Sequence, residues 1–178
     1  MGADAAVVID DEALRGAEAL LTAKVLAAAI GREQFDLVIA GTESTDGYSG
    51  VVPQQMAELL GMPALTYARK VTVADGAATI EQQSAGGYNE VTSPLPALVT
   101  VTAGAVEPRY PTFKGIMAAK SKPVDQPTAA DLGVTELAPG QTITNVEAVE
   151  ARQAGTIVTD DGDGHTHIVA ALEEAKVI

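Results

Sequence analysis

The chain has no cysteine. Disulfides, thiol catalysis and cysteine-based metal sites are therefore excluded. Aromatic residues are scarce, with four tyrosines and two phenylalanines in 178 residues. Positive charge is scarce too: 11 Lys and Arg face 24 Asp and Glu, leaving a net charge of −13. A nucleic-acid surface needs a basic footprint, so this balance argues against one and suits basic or neutral partners. Long apolar runs are also missing. Lys24 interrupts the alanine-rich stretch 17–30, and no membrane insertion is expected. The opening MGADAAVVIDDEA has no basic region followed by an apolar core, so it does not read as a signal peptide. These features lead us to expect a cytoplasmic protein or its organelle equivalent.

What is present suffices for a core. Hydrophobic residues make up 47% and charged residues 20%, a composition unlike a disordered tail. The length suits one domain with an appended arm. Residues 5–9 (AAVVI) predict a short buried strand. Asp10 or Asp11 offers a helix N-cap, and Leu14, Ala17, Leu21, Val25 and Ala28 follow a near-helical period. Gly31 is a C-cap candidate, so 12–30 is expected to be one helix. The run Leu37, Val38, Ile39, Ala40 has the unbroken apolar character of a central parallel strand. Strand, helix, strand then makes a βαβ unit.

Pro53 suits a helix first turn, with Met56, Leu59 and Leu60 as its buried side and Gly61 as its end. Segments 65–73 and 77–83 read as strands around the turn Ala74-Asp75-Gly76, followed by strands at 88–92 and 97–101. Pro108 and Pro111 forbid a regular helix between them, while 112–120 suits a short helix or an ordered loop. From about 123 the composition is polar and proline-containing, as in an extended arm, with a last helix over 166–176. The expected organisation is an α/β domain over 1–122, a Rossmann-like open parallel sheet, and an arm over 123–178.

The loop GTESTDGYSGVV, residues 41–52, lies between a strand and a helix. In an open parallel sheet, ligands bind beyond the carboxyl ends of the strands. Gly41, Gly47 and Gly50 allow close backbone approach, and Thr42, Ser44, Thr45 and Ser49 add hydroxyls. The helix start behind them favours a phosphate. Asp46 could accept from a ribose or shape the loop as an Asx turn. Glycine-rich βα loops are common, so a ligand-free connection is the other reading. The loop lacks the Gly-Lys-Ser/Thr of a Walker motif, and Gly47-Tyr48-Ser49-Gly50-Val51 lacks the second glycine of a nucleophile elbow.

Two further clusters stand out. His165 and His167 beside Asp160, Asp161 and Asp163 invite a metal reading. Counted from Asp161, however, the calcium-loop pattern places Leu172 where a bidentate Glu belongs. Arg109, Lys114, Lys120 and Lys122 form the one basic stretch on an acidic chain. Tyr110, Phe113, Ile116 and Met117 are interleaved with it, a composition that suits a partner surface. Phe113 follows two prolines and precedes a lysine, so it is expected to project from the surface.

The segments IAGTESTDGYSGVVPQQMAELLGMP (39–63) and EPRYPTFKGIMAAK (107–120) resemble the electron transfer flavoprotein beta subunit. The resemblance implies that the 41–52 loop holds the phosphate side of AMP, or of a second FAD, through Gly41, Ser44, Asp46, Tyr48, Ser49, Gly50, Val51 and Val52. It implies that Arg109, Tyr110, Phe113, Lys114, Ile116, Met117 and Lys120 form a docking segment for acyl-CoA dehydrogenase-type flavoproteins. It further implies a heterodimer with an alpha subunit that holds most of the FAD, and an electron carrier of fatty acid oxidation with no substrate chemistry of its own. Electrons would pass to electron transfer flavoprotein-quinone oxidoreductase. Arg152-Gln-Ala-Gly155 is similar to the arm that wraps the alpha subunit. Met1-Gly-Ala-Asp4 resembles an internal segment, so the family's first βαβ unit is expected to lie outside this sequence. Gln83 stands where family members often carry an acid that pairs with an alpha-subunit arginine; it can hydrogen-bond but not ion-pair. A regulatory adenine-nucleotide module of the universal stress type would explain 41–52 but not 107–120. An AMP-forming ligase of related architecture would need a Ser-Gly-Gly-x-Asp-Ser loop, which is missing here.

Overall fold

The computed structural model describes the chain except residues 139, 152, 153 and 156. It divides into two compact units, Met1–Ile143 and Thr144–Ile178. The first unit is built on a five-stranded open sheet in the order β2-β6-β3-β4-β5. Its strands are β2 (Leu37–Gly41), β3 (Ala64–Ala74), β4 (Ala77–Ser84), β5 (Gly87–Pro94) and β6 (Ala97–Val101). Pairing is parallel from β2 through β6 to β3, and antiparallel from β3 through β4 to β5. The expected Rossmann-like α/β class is therefore what the chain adopts, with a hairpin extension.

Three expectations need correction. Residues 5–9 do not enter this sheet. Only Ala6–Val7 forms a strand, β1, and it pairs in parallel with β7 (Val124–Asp125) as a separate two-stranded sheet. Both β1 residues are exposed, so the anticipated buried βαβ unit is not made. Residues 12–30 are not one helix either. Asp11 accepts from the Ala13 N–H and caps a 3-10 turn over Glu12–Leu14, and Gly16 then turns the chain at a φ of 81°. The helix proper, α1 (Ala19–Ile30), starts after Glu18, whose carboxylate accepts from the Leu20 and Leu21 N–H groups. A side-chain cap inside the apolar period broke a pattern that looked continuous. Third, Leu59 is 47% exposed rather than buried.

Helix α2 (Val52–Leu60) ends as expected at Gly61, left-handed at a φ of 66°. Its buried residues are Pro53, Met56 and Ala57. Alternation along β6 serves both faces of the sheet. Leu98 joins Ala23, Met56 and Ala57 on the helix side, while Ala97 and Val99 join Leu65, Ala68, Ala78 and Ile80 on the other. A third cluster joins Leu21 and Val25 to Ala129, which is fully buried, with Leu132 and Val134 packed on it. Residues 128–134 are thereby fixed to α1. The short helix α3 (Phe113–Ala119) starts at Thr112, whose hydroxyl accepts from the Gly115 N–H at 3.1 Å.

In the second unit, α4 (Gly164–Glu174) has no buried residue, and Ile168, Val169 and Leu172 are exposed. Asp160 receives the N–H groups of Gly162 and Gly164 at 2.9 and 3.0 Å. Those bonds hold its carboxyl below the usual range and give it a turn-shaping role. Among the described residues, no group of three or more metal-ligating side chains converges. Also among the described residues, no helix is long and apolar enough to cross a membrane.

Candidate nucleotide site

Strand β2 ends at Gly41 and α2 begins at Val52, so the loop between them crosses the carboxyl edge of the parallel strands. Its shape is set by local bonds. The Tyr48 N–H donates to the Ser44 carbonyl at 3.2 Å, and the Gly47 N–H donates to Asp46 Oδ1 at 2.7 Å. The Asp46 carboxyl is held below its ordinary range, first by that Gly47 bond and then by one from Ser44. Thr42 ties the loop to the neighbouring strand, its hydroxyl donating to the Val101 carbonyl at 3.0 Å. Gly50 is left-handed at a φ of 65°, and a Cβ there would lie 3.3 Å from Glu43 Oε2. Only a glycine gives that turn without strain.

The start of α2 carries proline in its first turn and receives no side-chain cap. Its leading N–H groups are thus available to an anion, and the helix dipole adds positive potential. This end opens onto a cleft of about 360 Å³ between the loop and α1. Gly41, Ser44, Ser49, Gly50 and Val52 converge there, beside Thr22 and Leu26 of α1. None of the described residues lining it is Lys or Arg, and Glu43 contributes an acid. An anion in this cleft would be held by backbone dipoles and hydroxyls rather than by a counter-charge.

The other residues singled out from the sequence lie apart. Asp46 borders a separate cleft with Ile9 and Leu14. Tyr48 faces a third one, on the β3 side of the loop. Val51 lines none of these three clefts and is 43% exposed. Sequence reasoning passed over Glu43, which lines two of the clefts, and Tyr67, which shares the third with Tyr48. Glu43 was legible as an acid inside a glycine-rich loop. Tyr67 was not, because its placement depends on a bulge in β3.

The basic and aromatic segment folds into α3 and its approach. Phe113 is 80% exposed, as its flanking prolines and lysine imply, and Ile116 and Met117 are half exposed. They stand at i, i+3 and i+4, one helix face. Tyr110 is exposed, as are Lys114 and Lys120. Arg109 donates to the Met1 carbonyl at 3.4 Å. The opposite face of α3 lies over the N-terminal segment through Gly115, Ala118 and Ala119. Gln83 is exposed at the end of β4. Arg152 and Gln153 of the arm motif lie outside the described residues.

An open α/β sheet with a glycine-rich loop and an uncapped helix at its carboxyl edge places this chain in the doubly wound α/β class, whose ligands bind at that edge. The family can be stated more narrowly. Residues 1–132 match the model of the electron transfer flavoprotein domain. The chain is 44% identical over 184 residues to "Electron transfer flavoprotein subunit beta" of Mycobacterium tuberculosis (strain ATCC 25618 / H37Rv), covering 100% of this chain and 69% of that one. It is 31% identical over 189 residues to the protein of the same name from Megasphaera elsdenii, covering 99% and 70%. It is 36% identical over 141 residues to "Caffeyl-CoA reductase-Etf complex subunit CarD" of Acetobacterium woodii, covering 79% and 54%. The chain belongs to the electron transfer flavoprotein family, as a relative of its beta subunits. That membership favours the flavoprotein reading over a universal stress module.

Proposed function

We propose that this chain works as the beta half of a two-subunit electron carrier. An alpha subunit holds most of the FAD, and this chain walls one side of the flavin and binds AMP in the 41–52 loop. Electrons arrive from acyl-CoA dehydrogenase-type flavoproteins and leave for electron transfer flavoprotein-quinone oxidoreductase, in the cytoplasm. The observation that carries this reading is the family match across residues 1–132, which includes both the loop and α3. The caffeyl-CoA reductase name of one relative supports a partner that acts on a CoA-linked substrate.

When bound, FAD supplies the redox chemistry, and the chain supplies position and exclusion of water. The residues present fit the phosphate of AMP: Gly50 leaves the loop no Cβ, and the α2 start is uncapped. The backbone of 44–52 and the Ser44 and Ser49 hydroxyls would hold it. The exposed face Phe113, Ile116 and Met117 would meet the dehydrogenase, with Arg109, Tyr110, Lys114 and Lys120 around it. The arm over 123–178, through the apolar side of α4, would meet the alpha subunit. Co-purification with the alpha subunit tests this. A flavin absorbance spectrum and stoichiometric AMP in the pair support the reading; a colourless pair overturns it.

A further inference from the structure

Helix α3 carries the docking face proposed above, yet none of its residues is buried. It has seven residues, and isolated helices this short are marginal in water. Its pose is therefore set by what flanks it. The flanks on both sides hold to the N-terminal segment Met1–Val8. Before the helix, Arg109 Nη2 donates to the Met1 carbonyl at 3.4 Å. After it, Lys122 Nζ meets Asp4 Oδ1 at 2.9 Å. Directly beyond, β7 runs parallel to β1. The Ala6 N–H donates to the Pro123 carbonyl at 3.1 Å, and the Val8 N–H to the Asp125 carbonyl at 2.9 Å. Between these ties, Gly115, Ala118 and Ala119 share a cleft of about 280 Å³ with Gly2, Ala3 and Ala5. Asp125 is itself held at 3.3 Å by Arg32, just past the end of α1.

The cations of the basic segment thus divide into two pairs. Arg109 and Lys122 are used inside the chain. Lys114 and Lys120 are exposed and form no ion pair among the described residues. Lys122 stands at the joint between the end of α3 and the start of β7. We propose that Asp4 and Lys122 are positioning residues, a clasp that holds α3 in the pose from which Phe113, Ile116 and Met117 meet the dehydrogenase. The inference rests on the functional reading above, which gives α3 its docking role. An exposed ion pair adds little to global stability. It acts here on a helix with no core of its own, so its loss leaves the helix to be ordered on association.

The test uses the assembled alpha–beta pair with Asp4→Lys, with Lys122→Asp and with both exchanges together. Phe113→Ala serves as the docking control. Rates of reduction by an acyl-CoA dehydrogenase are measured against the concentration of the pair. Each single reversal sets like charges face to face. Both are expected to raise KM about threefold, within the range of an exposed ion pair, and to leave kcat and FAD content unchanged. Both should also speed amide exchange at Ile116 in α3 and not in α1. The two reversals change net charge in opposite directions, so electrostatic steering would move KM in opposite directions. A clasp moves it the same way in both, and the double exchange restores KM and exchange together. Single reversals without effect, while Phe113→Ala raises KM, overturn the inference alone. So does a raised KM that the double exchange fails to restore, or a loss of FAD with either reversal. If Phe113→Ala leaves KM unchanged, the docking reading of α3 falls and this inference with it.

Discussion

The hydroxyl of Thr100, at the centre of the parallel β2-β6-β3 sheet, accepts the backbone N–H of Tyr67 at 2.9 Å. A threonine side chain here replaces the ladder bond that the bulge removes. Replacing it with the isosteric valine leaves the Tyr67 N–H without that acceptor while preserving volume. Thr100→Val is expected to destabilise the chain by about 0.5–1.5 kcal/mol, the net worth of one part-buried hydrogen bond. Urea denaturation of the two proteins checks this. An unchanged midpoint would mean that the bulge stands without the latch.

Gly50 gives a second prediction. Its φ of 65° strains any side chain, and a Cβ there would press on Glu43 Oε2 at 3.3 Å. Gly50→Leu is expected to abolish AMP binding by calorimetry, since the loop must open to relieve both strain and contact. The left-handed backbone alone costs a non-glycine residue about 1–2 kcal/mol. AMP affinity unchanged in Gly50→Leu would remove the 41–52 loop from the nucleotide site.

Much of this architecture was legible in the sequence because its signals are local. The Ala74-Asp75-Gly76 turn, the Pro53 start and Gly61 end of α2, and the apolar run of β2 each depend on a few neighbouring residues. What was missed depends on distant ones. The partner of β1 is β7, more than a hundred residues away. Glu18 caps α1 although Asp10 and Asp11 precede it with better capping propensity. Residues 128–134 read as polar arm, yet Ala129 is buried against Leu21 and Val25. The 41–52 loop stood out by its glycines. Its tyrosine neighbour across the sheet edge did not, because a bulge leaves no mark in hydrophobic periodicity.

Asp11 ties that segment down and predicts an acid response. Its carboxylate accepts the N–H groups of Ala129 and Ala13, both at 2.9 Å. Its carboxyl is held below the ordinary range, first by the Ala129 bond and then by the Ala13 bond. A depressed folded-state pKa means stability that is present above the unfolded value, about 3.9, and lost as pH falls through the folded value. Acidification from neutral to about pH 3 is therefore expected to speed amide exchange at Ala129 beyond the intrinsic pH effect. Asp11→Asn should show that fast exchange already at neutral pH and little further change on acidification. Equal protection in both proteins at pH 7 would show that packing against Leu21 and Val25 suffices.

Phe113 gives the sharpest test of docking. The chain has two phenylalanines, and burial is the usual fate of such a side chain. This one stands 80% exposed at the first position of α3. The Thr112 cap fixes its helix start, and the small residues Gly115, Ala118 and Ala119 on the other face line a cleft beside the N-terminal segment. Burying it in a partner pocket would supply roughly 1.5–3 kcal/mol, enough to anchor a transient complex with Ile116 and Met117 as its surround. Phe113→Ala removes that anchor without opening a cavity in this chain. In the assembled flavoprotein, reduction by an acyl-CoA dehydrogenase at limiting concentration is expected to slow at least about tenfold, the equivalent of about 1.4 kcal/mol. FAD content and reduction by dithionite should stay normal, because α3 does not line the cleft between the 41–52 loop and α1. Loss in both assays would place Phe113 in the structural support of the flavin, and normal rates in both would move the docking surface elsewhere.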